Sequence, residues 1–171
     1  VLASVRLRTP GIAYASGMAK IATWLNVLGV VVLSAGLAGA QRGTMAARIA
    51  LHVDASTAEW VAVRRDLHQH PELSGQEVRT AKVVADRLRK LGLDVRTGVG
   101  GHGVVGILTG GRPGPLVAYR ADMDAVRSVA PDPVAFASVV PGVRHICGHD
   151  MHVTIGLGLA SALASVKADL P

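Results

Sequence analysis

Apolar side chains recur at helical spacing from Thr57 to His70, where Trp60, Val63 and Leu67 alternate with Arg64, Arg65 and Asp66. That pattern predicts an amphipathic helix capped by Ser56 or Thr57 and stopped by Pro71. Gln76 to Leu91 repeats it, with Val83, Val84, Leu88 and Leu91 on one side, Arg79, Lys82, Asp86 and Arg89 elsewhere, and Gly92 at the end. Leu93 to Thr97 and Val104 to Leu108 are short strand candidates. The glycine-rich stretch Gly98 to Gly103 joins those two strands instead of leading from a strand into a helix, so it predicts a hairpin-like turn and not a dinucleotide site. After the loop Gly110-Gly111-Arg112-Pro113-Gly114, the run Leu116 to Tyr119 is expected to be a buried strand. Pro131 and Pro133 break up the next stretch, and Met151 to Lys167 predicts an alanine-rich helix with Asp150 at its cap. Helices alternating with short buried strands indicate an α/β layer, and no internal repeat is present.

With 171 residues, half of them hydrophobic, the chain is long enough for one domain with a real core. Aromatics make up only 3%, which suits small-residue packing better than a stacking surface for bases. The net charge of +6 changes meaning once it is located. No acid precedes Asp54, whereas Arg6, Arg8, Lys20, Arg42 and Arg48 do; these five of the 18 bases leave 13 against 12 acids in the rest. The basic excess belongs to the N-terminal segment and does not form a nucleic-acid face, and no helix-turn-helix, RNP or zinc-finger pattern is present.

Met18-Ala19-Lys20 precedes a charge-free stretch, Ile21 to Ala40, that ends on Ala38-Gly39-Ala40. A positive start, an apolar centre and small residues at the end describe a secretory signal peptide, with Gln41 as the new N-terminus after cleavage. The expected location is therefore secreted or periplasmic. A membrane anchor is the competing reading, because about 20 apolar residues can span a bilayer. A start at Met45, which would make the protein cytoplasmic, is a third. Residues 1 to 17 are an upstream extension of no clear role, and residues 41 to 171 form the part expected to fold.

Two clusters carry chemistry. Arg120-Ala121-Asp122-Met123-Asp124 directly follows an apolar run, and ligands collect beyond the carboxyl ends of strands in open α/β sheets. Asp122 and Asp124 are two apart, so an extended backbone puts them on one side, where they can hold a cation or orient a histidine that does. Taken alone, a solvated loop explains them slightly better. The second cluster is His145-Ile146-Cys147-Gly148-His149-Asp150-Met151-His152, just before a helix. In an extended segment Cys147 and His149 would face the same way, and a thiolate with an imidazole suits zinc and similar metals. Cys147 is the one cysteine, so no intramolecular disulfide is possible. A nucleophilic Cys147 with a histidine base is the rival reading. His68 and His70 at the first helix end would by themselves be surface residues, and His52 and His102 lack any context and are expected to be exposed.

Together these residues resemble the amidohydrolase branch of the aminoacylase and carboxypeptidase metallopeptidases, which includes hippurate hydrolase, N-acyl-amino-acid amidohydrolases and auxin-conjugate hydrolases. The matching stretches are RRDLHQHPELSGQE at 64 to 77, LRKLGLDVRTGVGGHGVVGIL at 88 to 108, YRADMDAV at 119 to 126 and PGVRHICGHDMH at 141 to 152. The resemblance implies the N-terminal part of a zinc-peptidase-like α/β catalytic domain, with a mixed, mostly parallel sheet flanked by helices. It implies that Cys147 and His149 are ligands of a centre of two divalent metal ions (Zn, Mn, Co or Ni), and that Asp124 is the carboxylate beside them. It implies hydrolysis of the amide of an N-acyl amino acid or peptide-like substrate, and a homodimer in the full-length form. No membrane partner is expected beyond the signal segment.

The sequence departs from the family in two places. Val126-Arg127 replaces the usual Leu-Pro, and Ser128 to Val140 diverges, a stretch expected to alter substrate fit. Family members are more than twice as long and carry a paired-glutamate motif, further histidine ligands and a dimerisation domain beyond the point reached here. The general-base glutamate is therefore expected to be absent from this chain, and neither Glu72 nor Glu77 takes its place. A truncated amidohydrolase, inactive alone, is the expected identity. A non-catalytic remnant of the family and a cysteine hydrolase using Cys147 are the alternatives.

Overall fold

A computed structural model describes residues 2–4 and 43–171, and the expected signal segment 18–40 lies outside the described residues. Among the described residues, three helices and two small sheets form one α/β unit: β1 (Leu2–Ser4), α1 (Met45–Gln69), α2 (Val78–Lys90), β2 (Asp94–Val99), β3 (Gly103–Ile107), β4 (Ala118–Arg120), β5 (Val126–Arg127), β6 (Val143–Arg144), α3 (His149–Ser165) and a 3-10 turn (Lys167–Asp169). The larger sheet has the order β2-β3-β1-β4. It is mixed, as expected, but the parallel share is the smaller one: β1 pairs parallel with β3, while β1 with β4 and β2 with β3 are antiparallel. Three residues of the upstream extension, to which the sequence assigned no clear role, thus enter the sheet as β1.

The first helix starts twelve residues earlier than its apolar stripe suggested. Thr44 caps it, its hydroxyl accepting from Ala47 N at 3.2 Å. Ser56 and Thr57 are not caps. Their hydroxyls donate back to the carbonyls of His52 (2.8 Å) and Val53 (2.7 Å), a bond these side chains can make inside a helix. The helix ends before Pro71, and Gly92 (φ 79°) lies just past the Leu91 cap of α2, both as expected. β2 and β3 form the expected hairpin, with an irregularity between Thr97 and Val99.

One core joins the layers. Val63 and Leu67 of α1, Val84 and Leu88 of α2, Val104 of β3, and Val153 and Leu157 of α3 are all buried within it. Burying a leucine fully contributes roughly 1.5–3 kcal/mol, so this cluster dominates the stability of the described unit. Close approach is built in where Gly156 of α3 meets β4: a Cβ there would lie 3.0 Å from Tyr119 Cε1.

Leu116 to Tyr119 corrects an expectation. Only Ala118 onward joins the ladder, and Leu116 and Val117 are 61% and 68% exposed, because no described element covers them. No helix among the described residues is long and apolar enough to cross a membrane.

The second sheet positions the site. β5 pairs antiparallel with β6, setting Val126 opposite Arg144 and Arg127 opposite Val143. Ala125 N donates to Glu72 O at 2.7 Å, and Leu73 and Ala125 form a parallel bridge. The segment after Asp124 and the segment before Cys147 are thereby held side by side.

Candidate functional site

Between Ala121, Met123 and Ala125, which are buried, Asp122 and Asp124 point outward, the alternation an extended backbone dictates. Asp124 meets His149. The His149 Nδ1 lies 2.9 Å from Asp124 Oδ1 and 2.9 Å from the Asp124 carbonyl oxygen. With two oxygen acceptors on Nδ1, that nitrogen carries the proton, so in the neutral ring Nε2 is the nitrogen with the lone pair. Asp122 takes a different partner: its backbone N–H donates to His152 Nδ1 at 3.3 Å, and its carboxylate pairs with Arg120.

The turn ahead of α3 differs from the expected extended segment. Ile146 and Cys147 form a turn, and Gly148 adopts φ 78°, a left-handed conformation that favours glycine. This turn starts the helix at His149, one residue before the position expected of its cap, so Asp150 does not cap α3. The Asp150 carboxylate is instead buried against α1. Cys147 is exposed, and no imidazole among the described residues is hydrogen-bonded to its thiol.

A polar cleft of about 690 Å³ opens over Asp124 and His149. Asp122, Arg120, Glu77 and His102 line its other sides, with the β2–β3 glycine turn forming one edge. His102 was expected to be exposed. It is half-buried there, because the expected hairpin turn folds its tip toward the 120–124 segment, a long-range packing that the local pattern does not announce. His52 corrects a second expectation: it is half-buried, with Nε2 2.7 Å from Ser161 Oγ on α3. His68 corrects a third, since it is 8% exposed and enclosed by Asp150 and Asp132. His70 stays at the helix end, its Nδ1 donating to Asp66 O at 2.9 Å. Burial pushes the His145 imidazole below its ordinary value of 6.5, with the Asp150 charge opposing that shift.

Among the described residues no group of three or more His, Cys, Asp or Glu is placed to hold a metal ion. Tetrahedral sites need three or four ligands. The oriented His149 and the exposed Cys147 thiol two positions before it therefore suit part of a metal shell and do not complete one.

Comparison with known proteins defines the class. Residues 118–171 match the family model described as Peptidase family M20/M25/M40. The chain is 49% identical over 111 residues to thermostable carboxypeptidase 2 of Saccharolobus solfataricus, covering 64% of this chain and 28% of that protein. It is 41% identical over 118 residues to the N-acyl-L-amino acid amidohydrolase of Geobacillus stearothermophilus, covering 69% and 32%. Its fold is similar to the YXEP protein of Bacillus subtilis, a dinuclear metal binding peptidase from the M20 family, with a TM-score of 0.62 and 35% identity over 68% of this chain and 33% of that one. The resemblance carried by the four motifs is thus shown: this chain is a relative of the M20 peptidases and amidohydrolases. It spans about a third or less of the length of the curated relatives it matches.

Proposed function

We propose that the whole protein containing this chain hydrolyses the amide bond of N-acyl amino acids or related conjugates, and that Cys147 and His149 supply two ligands of its two-metal centre. The observation that carries this reading is the His149–Asp124 contact, which fixes the imidazole tautomer and leaves Nε2 available in the polar cleft. A carboxylate behind a histidine ligand is the arrangement metal sites use to orient the ring and raise its basicity. The relatives' hydrolase names and the dinuclear metal binding of the similar peptidase support it. When bound, a divalent cation supplies Lewis-acid polarisation of the scissile carbonyl.

The residues of this chain divide the remaining work. Asp124 accepts the Nδ1 proton of His149 and holds the ring. Arg120, on the cleft wall, is a cation for the carboxylate of an amino-acid substrate. Glu77 also lines the cleft, but its backbone begins α2 and it is not assigned the role of general base. That group and the remaining ligands are assigned to parts of the protein outside this chain, so the chain alone is expected to be inactive. The signal-peptide reading belongs to the same proposal and places the mature protein outside the cytoplasm. Cleavage after Ala40 and a strand at Leu2–Ser4 exclude one another, and N-terminal sequencing of the expressed product distinguishes them.

The experiment is metal analysis of the whole protein with Cys147→Ala and His149→Ala combined, beside an assay on N-acyl amino acids. Loss of bound metal together with loss of hydrolysis is expected. Full metal content in the double variant rejects the ligand assignment.

A further inference from the structure

A second charged cluster sits on the other side of the ligand turn, among residues that do not line the cleft. His68, near the end of α1, bridges two carboxylates: its Nδ1 is 2.8 Å from Asp150 Oδ2 and its Nε2 is 3.1 Å from Asp132 Oδ1. Ionised carboxylates only accept, so each ring nitrogen lies against an acceptor. Further groups hold both carboxylates in place. The Asp150 side chain is 0% exposed and also pairs with Arg64 Nε at 2.9 Å, while Asp132 Oδ2 accepts from Ser138 N at 2.9 Å and lies 3.8 Å from Arg144 Nε. Phe136 stands edge-on to the His68 ring at 5.3 Å, with Arg64 over its face at 4.9 Å. From β6 and the turn after it, His145 is the other titratable group facing His68, 6.4 Å away between ring centroids.

Asp150 is bonded directly to His149. The two neighbouring side chains are pulled to different partners, His149 to Asp124 and Asp150 to His68 and Arg64. Rotation of the first turn of α3 would break one set or the other. Asp132 and Phe136 come from the stretch 128 to 140, where the sequence diverges from the family it resembles, and Val139 N ties that stretch to Gln69 O at 2.9 Å. None of its residues lines the cleft.

We propose that His68 is a positioning residue for the metal-binding turn: by joining Asp150 to Asp132 it fixes the direction in which His149 faces the cleft and holds the turn that carries Cys147. The divergent stretch thus acts on the rigidity of the ligand turn and leaves substrate fit to other segments. The proposal rests on the reading of Cys147 and His149 as ligands. Groups behind a metal ligand typically change affinity by about 10–100-fold when removed.

The test uses the whole protein with Zn2+ as the probe, titrated against a competing chelator well below the unfolding temperature. His68→Phe is expected to weaken Zn2+ binding about tenfold, Asp132→Asn to weaken it severalfold, and Asp132→Glu to restore it. In metal-free protein, exchange of the His152 amide, which donates to Gly148 O, is expected to quicken in His68→Phe and Asp132→Asn. Lowered thermal stability with unchanged Zn2+ affinity and unchanged His152 exchange overturns the proposal, since a merely structural histidine would behave that way. If His68→Phe does not fold, the Asp132→Asn result decides alone. If the wild-type protein binds no Zn2+ through Cys147 and His149, the functional reading fails, and the exchange rates still decide whether His68 positions the turn.

Discussion

The two sides of the α3 N-terminus use the same residue types in opposite environments. On the cleft side, Asp124 and His149 form one contact in a partly exposed, polar setting. On the core side, Asp150 and His68 are buried and share further partners, Asp132 and Arg64. Water screens the first pair, whereas the second must satisfy itself within the protein. Under the proposed function, the cleft side keeps the Asp124–His149 contact while Nε2 takes a cation, and the core side holds the turn steady.

The strongest way to break this contrast is to remove a charge on the buried side. Asp150→Ala leaves His68 and Arg64 without their shared carboxylate, and uncompensated buried charge typically costs about 3–5 kcal/mol. Thermal and urea unfolding of the whole protein are expected to show a loss of that size. Leu88→Ala, a cavity in the neutral core, serves as the control: a loss of about 2–5 kcal/mol is expected, without the change in His152 amide exchange. Asp124→Asn, on the cleft side, is expected to leave unfolding nearly unchanged while weakening Zn2+ binding about 10–100-fold. A stability loss in Asp124→Asn matching that of Asp150→Ala would erase the distinction.

Acid titration sharpens it further. The backbone N–H of Ser138 and then the His68 ring hold Asp132 below its ordinary value of 3.8. A depressed carboxylate contributes stability that is present above its unfolded-state value and is lost as pH falls through its folded-state value. Unfolding measured from pH 5 downward is expected to show an added loss of stability below about pH 4 in the wild type. Asp132→Asn removes that part of the slope. The smallest effect is expected from Arg120→Ala, whose exposed pair with Asp122 contributes within about 0.5 kcal/mol to unfolding, while raising KM for an anionic amino-acid conjugate.

The local patterns gave α2, the β2–β3 hairpin and the end of α1, because each rests on spacing and on Gly92, Pro71 and the glycine turn. The start of α1 was not visible: the apolar stripe fades before Trp60, and Ser56 and Thr57 look like caps although their hydroxyls bond backward within the helix. Pairing of Asp124 with His149 was legible as two motifs but not as a contact. It depends on the short β5–β6 ladder, whose two-residue strands carry no periodicity.

His68 and His102 mark where sequence reasoning stopped. A histidine at a helix end reads as exposed unless its partners are known, and Asp132 and Asp150 lie 64 and 82 residues away. His102 becomes a cleft residue only because the hairpin folds its tip toward the 120–124 segment.

Hydrophobic period and turn chemistry are properties of neighbouring residues, so the sequence alone determined which helices and hairpin form, and its motifs determined the family. Which histidines are buried, which carboxylate each one meets and which face of α3 carries the cleft were decided by tertiary structure. Those outcomes depend on desolvation and charge pairing between segments far apart in the chain, and no local spacing encodes them.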